Sequence, residues 1–299
     1  MKLGFIPPME KSLITSGEWV GQLVEVLESC EVESVWGVEH VIVAEDYEPL
    51  YPYSDDGQMP APPSGNLAMP DPLEWLSFVA ALSTRLRLGT GVMVASQHSA
   101  AILAKRVATL DALSGGRLML GVGIGWQKEE YAAIGVPYRD RGRRLDDCIE
   151  AMRVLWAEGP STYQGKHVQF ERVHSDVKPA QKGGVPILIG GSTDHAARRA
   201  GRLGNGWYPY VISPEDMALR VKTLRKTAQD HGRNPDEIEL TLWPGSYDAS
   251  RSFDPDFVKQ YTNQGVSRLM LSAMEGQVSQ LPDIRRLIES YQEKVIAKL

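Results

Sequence analysis

Three stretches hold residues whose type and spacing could do chemistry. The first is Glu39–His40, directly after the apolar run SVWGV (34–38). Histidine is the side chain whose proton comes and goes near neutral pH, so beside a carboxylate it could serve general acid–base catalysis. A lone histidine at a strand end could equally be structural. The second is LMLGVGIGWQKEEY (118–131), with Gly121, Gly123 and Gly125 in alternation. Absent side chains there either leave room for a flat ring to approach the backbone or let a strand end pack tightly. The third is ILIGGSTDHAARRA (187–200). Bare N–H groups at Gly190 and Gly191, the hydroxyls of Ser192 and Thr193, and a helix start could take an anion, or form a plain N-cap.

Other chemistries find no support. A dinucleotide fingerprint needs G-x-G-x-x-G opening a helix directly, and Trp126 stands where its third glycine belongs. Neither H-E-x-x-H nor a cysteine-pair metal motif appears, and His167 and His174 have no ligand spacing, so no metal site is expected. A G-x-S-x-G nucleophile elbow is missing. A glycosidase needs two carboxylates at strand ends, and Glu39 is the one obvious candidate. A metal-free hydrolase acting through Glu39 and His40 stays open.

The elements that must position these residues alternate. Strand-like runs are KLGFIP (2–7), SVWGV (34–38), LRLGTGVMV (86–94), RLMLGVG (117–123), VPILIGG (185–191), GWYPYVI (206–212), EIELTLW (237–243) and SRLMLS (267–272). Each is followed by a segment with helical apolar spacing, as in GEWVGQLVEVLESC (17–30) and RLDDCIEAMRVLW (144–156). The strands are continuous apolar runs, the pattern of parallel strands buried on both faces. Eight such units in one chain predict a (β/α)8 barrel over residues 1–299 as a single domain, preferred to a doubly wound sheet.

Two insertions interrupt the alternation. Residues 40–71 join the second strand to its helix, and Tyr47, Tyr51 and Tyr53 within them predict an ordered, packing loop. Together with Trp126, Tyr47 suggests an apolar or aromatic substrate pocket. Residues 159–184 precede the fifth strand and contain YQGKHVQF, read as a hairpin around Gly165. Both insertions are placed on or beside the C-terminal face of the barrel, where active sites form. Arg139, Arg141, Arg143 and Arg144 crowd a helix start, which is unfavourable. Nearby Asp140, Asp146 and Asp147 suggest a solvated charge network; a cofactor tail or a subunit contact is the alternative.

Composition narrows the partners. The 299 residues carry a net charge of −6, with 42% hydrophobic and 23% charged residues. This is a globular balance without a basic footprint, so nucleic acid and membrane are not expected partners. Two cysteines, Cys30 and Cys148, fit a reducing cytoplasm. No signal-peptide or membrane-spanning run is read in the chain.

The stretch from RLRLGTGVMVASQHSAAILAKRVATLDALSGGRLMLGVGIGWQKEEYAAIGV through RGRRLDDCIEAMRVLW to VPILIGGSTDHAARRAGRLGNGWYP resembles the bacterial luciferase-like superfamily of flavin and deazaflavin oxidoreductases. Within it the similarity is to the probable coenzyme F420-dependent branch. The resemblance runs from the first strand to about Tyr210. It implies a flavoprotein-type oxidoreductase that transfers hydride with F420 to or from a small organic substrate; FMN-dependent monooxygenation is the alternative, and a non-catalytic ligand-binding barrel a second. It implies that the ring rests on the end of the third strand, at Gly91, Val92 and Val94, with a cis bond at Gly91–Val92. Gly123 lies beside the ring, and the phosphate sits at Gly190, Gly191, Ser192 and Thr193. His40, with Glu39, faces the reactive edge. A glutamate that sugar-phosphate dehydrogenases of the superfamily carry after the fourth strand is replaced by Trp126, and a phosphate-binding arginine of the luciferases by Ile124. A homodimer is also implied, with the apolar faces of the early helices in the interface; Trp75 and Phe78, the apolar residues considered for it, could equally face the barrel.

Overall fold

The computed structural model describes residues 1–59 and 68–299, so Pro60, Pro62 and Pro63 of the long insertion lie outside the described residues. Its elements are, in order, β1 (Lys2–Ile6), α1 (Lys11–Ile14), α2 (Gly17–Ser29), β2 (Ser34–Gly37), α3 (Pro72–Leu82), β3 (Arg87–Thr90), α4 (Ala100–Leu113) and β4 (Leu118–Val122). Then come α5 (Lys128–Ala133), α6 (Arg141–Trp156), β5 (Ser161–Gln164), β6 (Gln169–Val173), β7 (Ile187–Gly190), α7 (Asp194–Leu203) and β8 (Gly206–Tyr208). The last are α8 (Pro214–Asp230), β9 (Glu239–Leu242), α9 (Pro255–Thr262), β10 (Val266–Ser272) and α10 (Leu281–Lys294). Eight parallel strands close in the order β1-β10-β9-β8-β7-β4-β3-β2, a (β/α)8 barrel, while β5 and β6 form a separate antiparallel pair.

Helix starts follow local chemistry. Asp71, Ser213 and Asp254 each accept a backbone N–H from the first turn of the helix that begins at the proline beside them. Proline is preorganised for that first position and has no N–H to leave unpaired. Each helix turns an apolar stripe to the strands; in α2 it is Val20, Leu23, Val24 and Leu27.

The barrel interior is a separate cluster of Ile6, Trp36, Met119, Leu188, Tyr208, Trp243 and Met270. Trp36 is fully buried and spans it, its indole N–H donating to Ser34 Oγ at 2.8 Å. A Cβ on Gly89 of the neighbouring strand would overlap that indole, so the small residue there is a packing requirement.

Arg268 closes the floor of the barrel. Its fully buried guanidinium donates to both oxygens of Glu33 at 2.9 Å and lies 3.1 Å from Glu239, which also pairs with Lys2. Burial pushes both carboxyls up, but the Arg268 charge outweighs it and holds them below the ordinary range. A carboxyl held low when folded stabilises the protein above its unfolded pKa of about 4.3. That contribution is lost as pH falls through the folded value. Glu33→Gln is therefore expected to cost about 1–3 kcal/mol at pH 7. Urea unfolding should show the gap to the parent protein closing on acidification below about pH 5; a gap independent of pH would refute the assignment.

Two expectations change here. The β5–β6 hairpin does turn at Gly165, whose N–H donates to Val168 O at 2.9 Å, but it leaves from the N-terminal end of the barrel, after α6. It climbs beside α6, where Tyr163 reaches Asp147 and Glu150, and its tip meets the α6 start through Lys166 and Asp140. The arginine cluster does not pair with its neighbouring aspartates. Asp146 instead takes Arg199 and Arg202 of α7, and Arg141 stacks 3.9 Å above the Tyr138 ring. Trp75 faces the core, with its indole N–H on Ile14 O at 3.2 Å, whereas Phe78 is exposed. Among the described residues no helix is long and apolar enough to cross a membrane, and no cluster with metal-ligand chemistry occurs.

Candidate active site at the mouth of the barrel

Strand β3 stops at Thr90, four residues before the apolar run does. The Gly91–Val92 peptide bond is cis, and the chain rejoins β4 through Met93 N–H to Gly121 O and Gly123 N–H to Met93 O, both at 2.8 Å. Val92 then occupies the space over the ends of β4 and β7. A Cβ on Gly123 would lie 2.8 Å from Val92 Cγ2, one on Gly190 would lie 2.8 Å from Val92 Cγ1, and one on Gly125 would lie 2.8 Å from Val94 Cγ1. On Gly121 it would overlap the Thr90 carbonyl oxygen. The glycines of the fourth strand are thus filled from within the protein. The room read for an approaching ring at Gly123 is taken by Val92, and Val92 presents the surface at the mouth.

Glu39 and His40, adjacent in sequence, turn to different neighbours. Glu39 is buried: Oε2 accepts Val94 N–H at 2.6 Å and Oε1 is 2.9 Å from His98 Nε2. With both oxygens engaged it ties β2 to the segment after β3, so the catalytic role read for it gives way to a positioning one. His40 Nδ1 lies 3.1 Å from Glu130 Oε2, and the other Glu130 oxygen accepts Val41 N–H at 2.6 Å. Burial raises the Glu130 carboxyl, but the hydrogen bond and charge of His40, helped by Val41 N–H, bring it below the ordinary range. An ionised carboxylate only accepts, so Nδ1 carries the proton and Nε2 is the nitrogen left free. The imidazole is 13% exposed, its partner not at all. Glu130 was not singled out in the sequence. Its signal was the spacing of Gln127 and Glu130, which a single helical turn brings to one face.

Residues 126–130 clasp the long insertion along their whole length. Gln127 Oε1 accepts Ala44 N–H at 3.1 Å, Glu129 Oε1 accepts Glu48 N–H at 3.0 Å, and Lys128 pairs with Glu48 at 2.5 Å. Trp126 takes the edges of His40, Tyr47 and Tyr51 at 5.9, 5.1 and 5.2 Å between ring centroids. From there rings continue across the mouth: Tyr51 to Tyr53 at 5.5 Å, Tyr53 to Tyr210 at 4.9 Å and Tyr210 to Trp243 at 5.7 Å. The described part of the insertion is the ordered loop its tyrosines predict. Tyr47 and Trp126 contact each other directly.

At the end of β7, Thr193 is the N-cap of α7 and accepts Ala196 N–H at 3.2 Å. Ser192 does something else. Its hydroxyl accepts Tyr210 N–H at 3.1 Å and donates to the Tyr210 carbonyl, so it joins β7 to β8 and is not free for an anion. Gly191, at φ +99°, adopts a conformation that glycine tolerates and other residues rarely do. Arg220, unnoticed in the sequence, reaches in from α8, with Nε 3.4 Å from Ser192 O and Nη1 3.9 Å from Asp194.

Comparison with known proteins gives the family and the fold. The luciferase-like monooxygenase family matches residues 5–246. The uncharacterized protein Rv0940c of Mycobacterium tuberculosis is 30% identical over 261 residues, covering 83% of this chain and 87% of its own length. An F420-dependent glucose-6-phosphate dehydrogenase of Kineococcus radiotolerans is 31% identical over 195 residues, 62% of this chain and 55% of that protein. The monooxygenase RslO1 from Streptomyces bottropensis shares the fold, with a TM-score of 0.76 over 99% of both chains at 20% identity. With that family match spanning most of its length, the chain belongs to the luciferase-like monooxygenase family.

Proposed function

We propose that the protein is an F420-dependent oxidoreductase acting on a small organic substrate at the barrel mouth. His40 is the proton-transfer residue and Glu130 the residue that positions it. The observation that carries this reading is the buried Glu130 carboxylate on His40 Nδ1, which leaves Nε2 free. Such a carboxylate fixes the tautomer and orientation of an imidazole that accepts or gives a proton.

The residues fit a flat fused-ring cofactor. Val92 offers an apolar support, with Tyr208 and Trp243 in the cluster beneath it. The Gln97 amide and Gln127 Nε2 are buried without a partner, and such groups call for a ligand or water. Gly190, Gly191 and the N-terminus of α7, with Arg220 close by, suit the anionic tail. When bound, F420 supplies a hydride donor or acceptor, and reduced FMN would instead supply oxygen activation. F420 is preferred because a relative 31% identical is named for it; FMN is the alternative because a monooxygenase of the same fold is described in complex with FMN.

Titration of the purified protein with F420 and with reduced FMN decides between them by fluorescence quenching. Saturable binding of F420 is expected. Binding of FMN alone would move the reading to a monooxygenase, and binding of neither would end it.

A further inference from the structure

The mouth is walled by aromatic rings. Trp126, Tyr47, Tyr51, Tyr53, Tyr210 and Trp243 run from the β4 side to the β9 side in unbroken contact. Of their hydroxyls, that of Tyr47 accepts Met59 N–H at 3.0 Å. Burial, reinforced by Tyr210, pushes the Tyr53 phenol up to about 12, so it stays neutral. At the His40 end the Glu130 carboxylate is buried against the imidazole, and Glu129 Oε2 is buried and unpartnered beside it in the chain. The cations of these segments are engaged. Lys128 is on Glu48, Arg141 is on the Tyr138 ring and Gly125 O, and Arg220 is on Ser192 O and Asp194.

We propose that the substrate of this site is an uncharged compound with a flat apolar face, an aromatic or cyclic conjugated carbonyl, and that phosphorylated substrates are excluded. The inference rests on the preceding reading in placing substrate at the same mouth. Ring edges and faces complement one another through their quadrupoles. Once Nε2 also holds a proton, with the Glu130 carboxylate as counter-ion, it can donate to a carbonyl oxygen, whereas a phosphate would find the cations named above already engaged, and an unpaired charge beside apolar rings costs affinity.

Isothermal titration calorimetry with acetophenone and with glucose 6-phosphate tests this, on the protein alone and after loading with F420. Acetophenone is expected to bind saturably and glucose 6-phosphate to give no binding heat. Tyr51→Ala should weaken acetophenone roughly tenfold, and Tyr51→Phe, which keeps the ring, should retain its affinity. Saturable binding of glucose 6-phosphate, no binding of acetophenone, or equal acetophenone affinity in Tyr51→Ala and the parent would each overturn the proposal. Quenching of F420 fluorescence is read separately. A protein that takes F420 and glucose 6-phosphate loses the substrate class and keeps the cofactor. One that takes acetophenone through Tyr51 but no F420 does the reverse.

Discussion

His40→Ala is expected to lower turnover by about 10²–10⁴-fold, the usual contribution of a positioned acid–base group. Cofactor affinity should stay within a few-fold, because His40 touches Glu130 and Trp126 rather than the β7 end where the anionic tail is placed. Glu130→Gln separates the two halves of the pair. Its amide oxygen can still accept Val41 N–H, so the loop keeps its tether, while the second position no longer offers a carboxylate to Nδ1. This variant should lose kcat with little change in KM, and Glu130→Asp should recover part of the loss. A structural role alone would lower stability and leave kcat of the folded fraction intact. Steady-state kinetics beside thermal unfolding reads the difference. A folded His40→Ala protein that turns over normally would remove His40 from the chemistry.

The contrast between Glu39 and Glu130 shows what a linear reading can and cannot find. Glu39 adjoins the histidine in sequence, and adjacency made it the natural acid. Yet successive residues of an extended segment point to opposite sides, so Glu39 turns to Val94 and His98 while His40 turns to Glu130. The true partner lies ninety positions on, in a six-residue helix too short for a clear apolar stripe. The barrel was legible because burial on both faces makes every strand an apolar run and the alternation repeats eight times. The direction of the hairpin was not, because composition alone does not tell an insertion after a strand from one after a helix. Ser192 and Thr193 were both legible as hydroxyls at a helix start. Which of them caps and which bridges to Tyr210 depends on β8, a strand the local sequence says nothing about.

Gly121→Ala and Gly123→Ala are expected to be destabilising to different degrees, and only one of them is repairable. At Gly121 the new methyl would overlap the Thr90 carbonyl oxygen, a backbone atom. Backbone cannot rotate away, so a loss above about 4 kcal/mol is expected, in the range that marks a specific steric failure. At Gly123 the methyl would meet Val92 Cγ2 at 2.8 Å, a side-chain atom, and overpacking of that kind costs about 1–3 kcal/mol. Val92→Ala removes the obstacle. In a double-mutant cycle Val92→Ala should therefore recover most of the Gly123→Ala loss and none of the Gly121→Ala loss, since neighbours that collide couple and sites with different partners do not. Chemical unfolding of the three single variants and two doubles measures this directly. Equal, additive losses at both glycines would mean that Val92 does not fill the end of β4, and the surface on which the cofactor is placed would have to be sought elsewhere at the mouth.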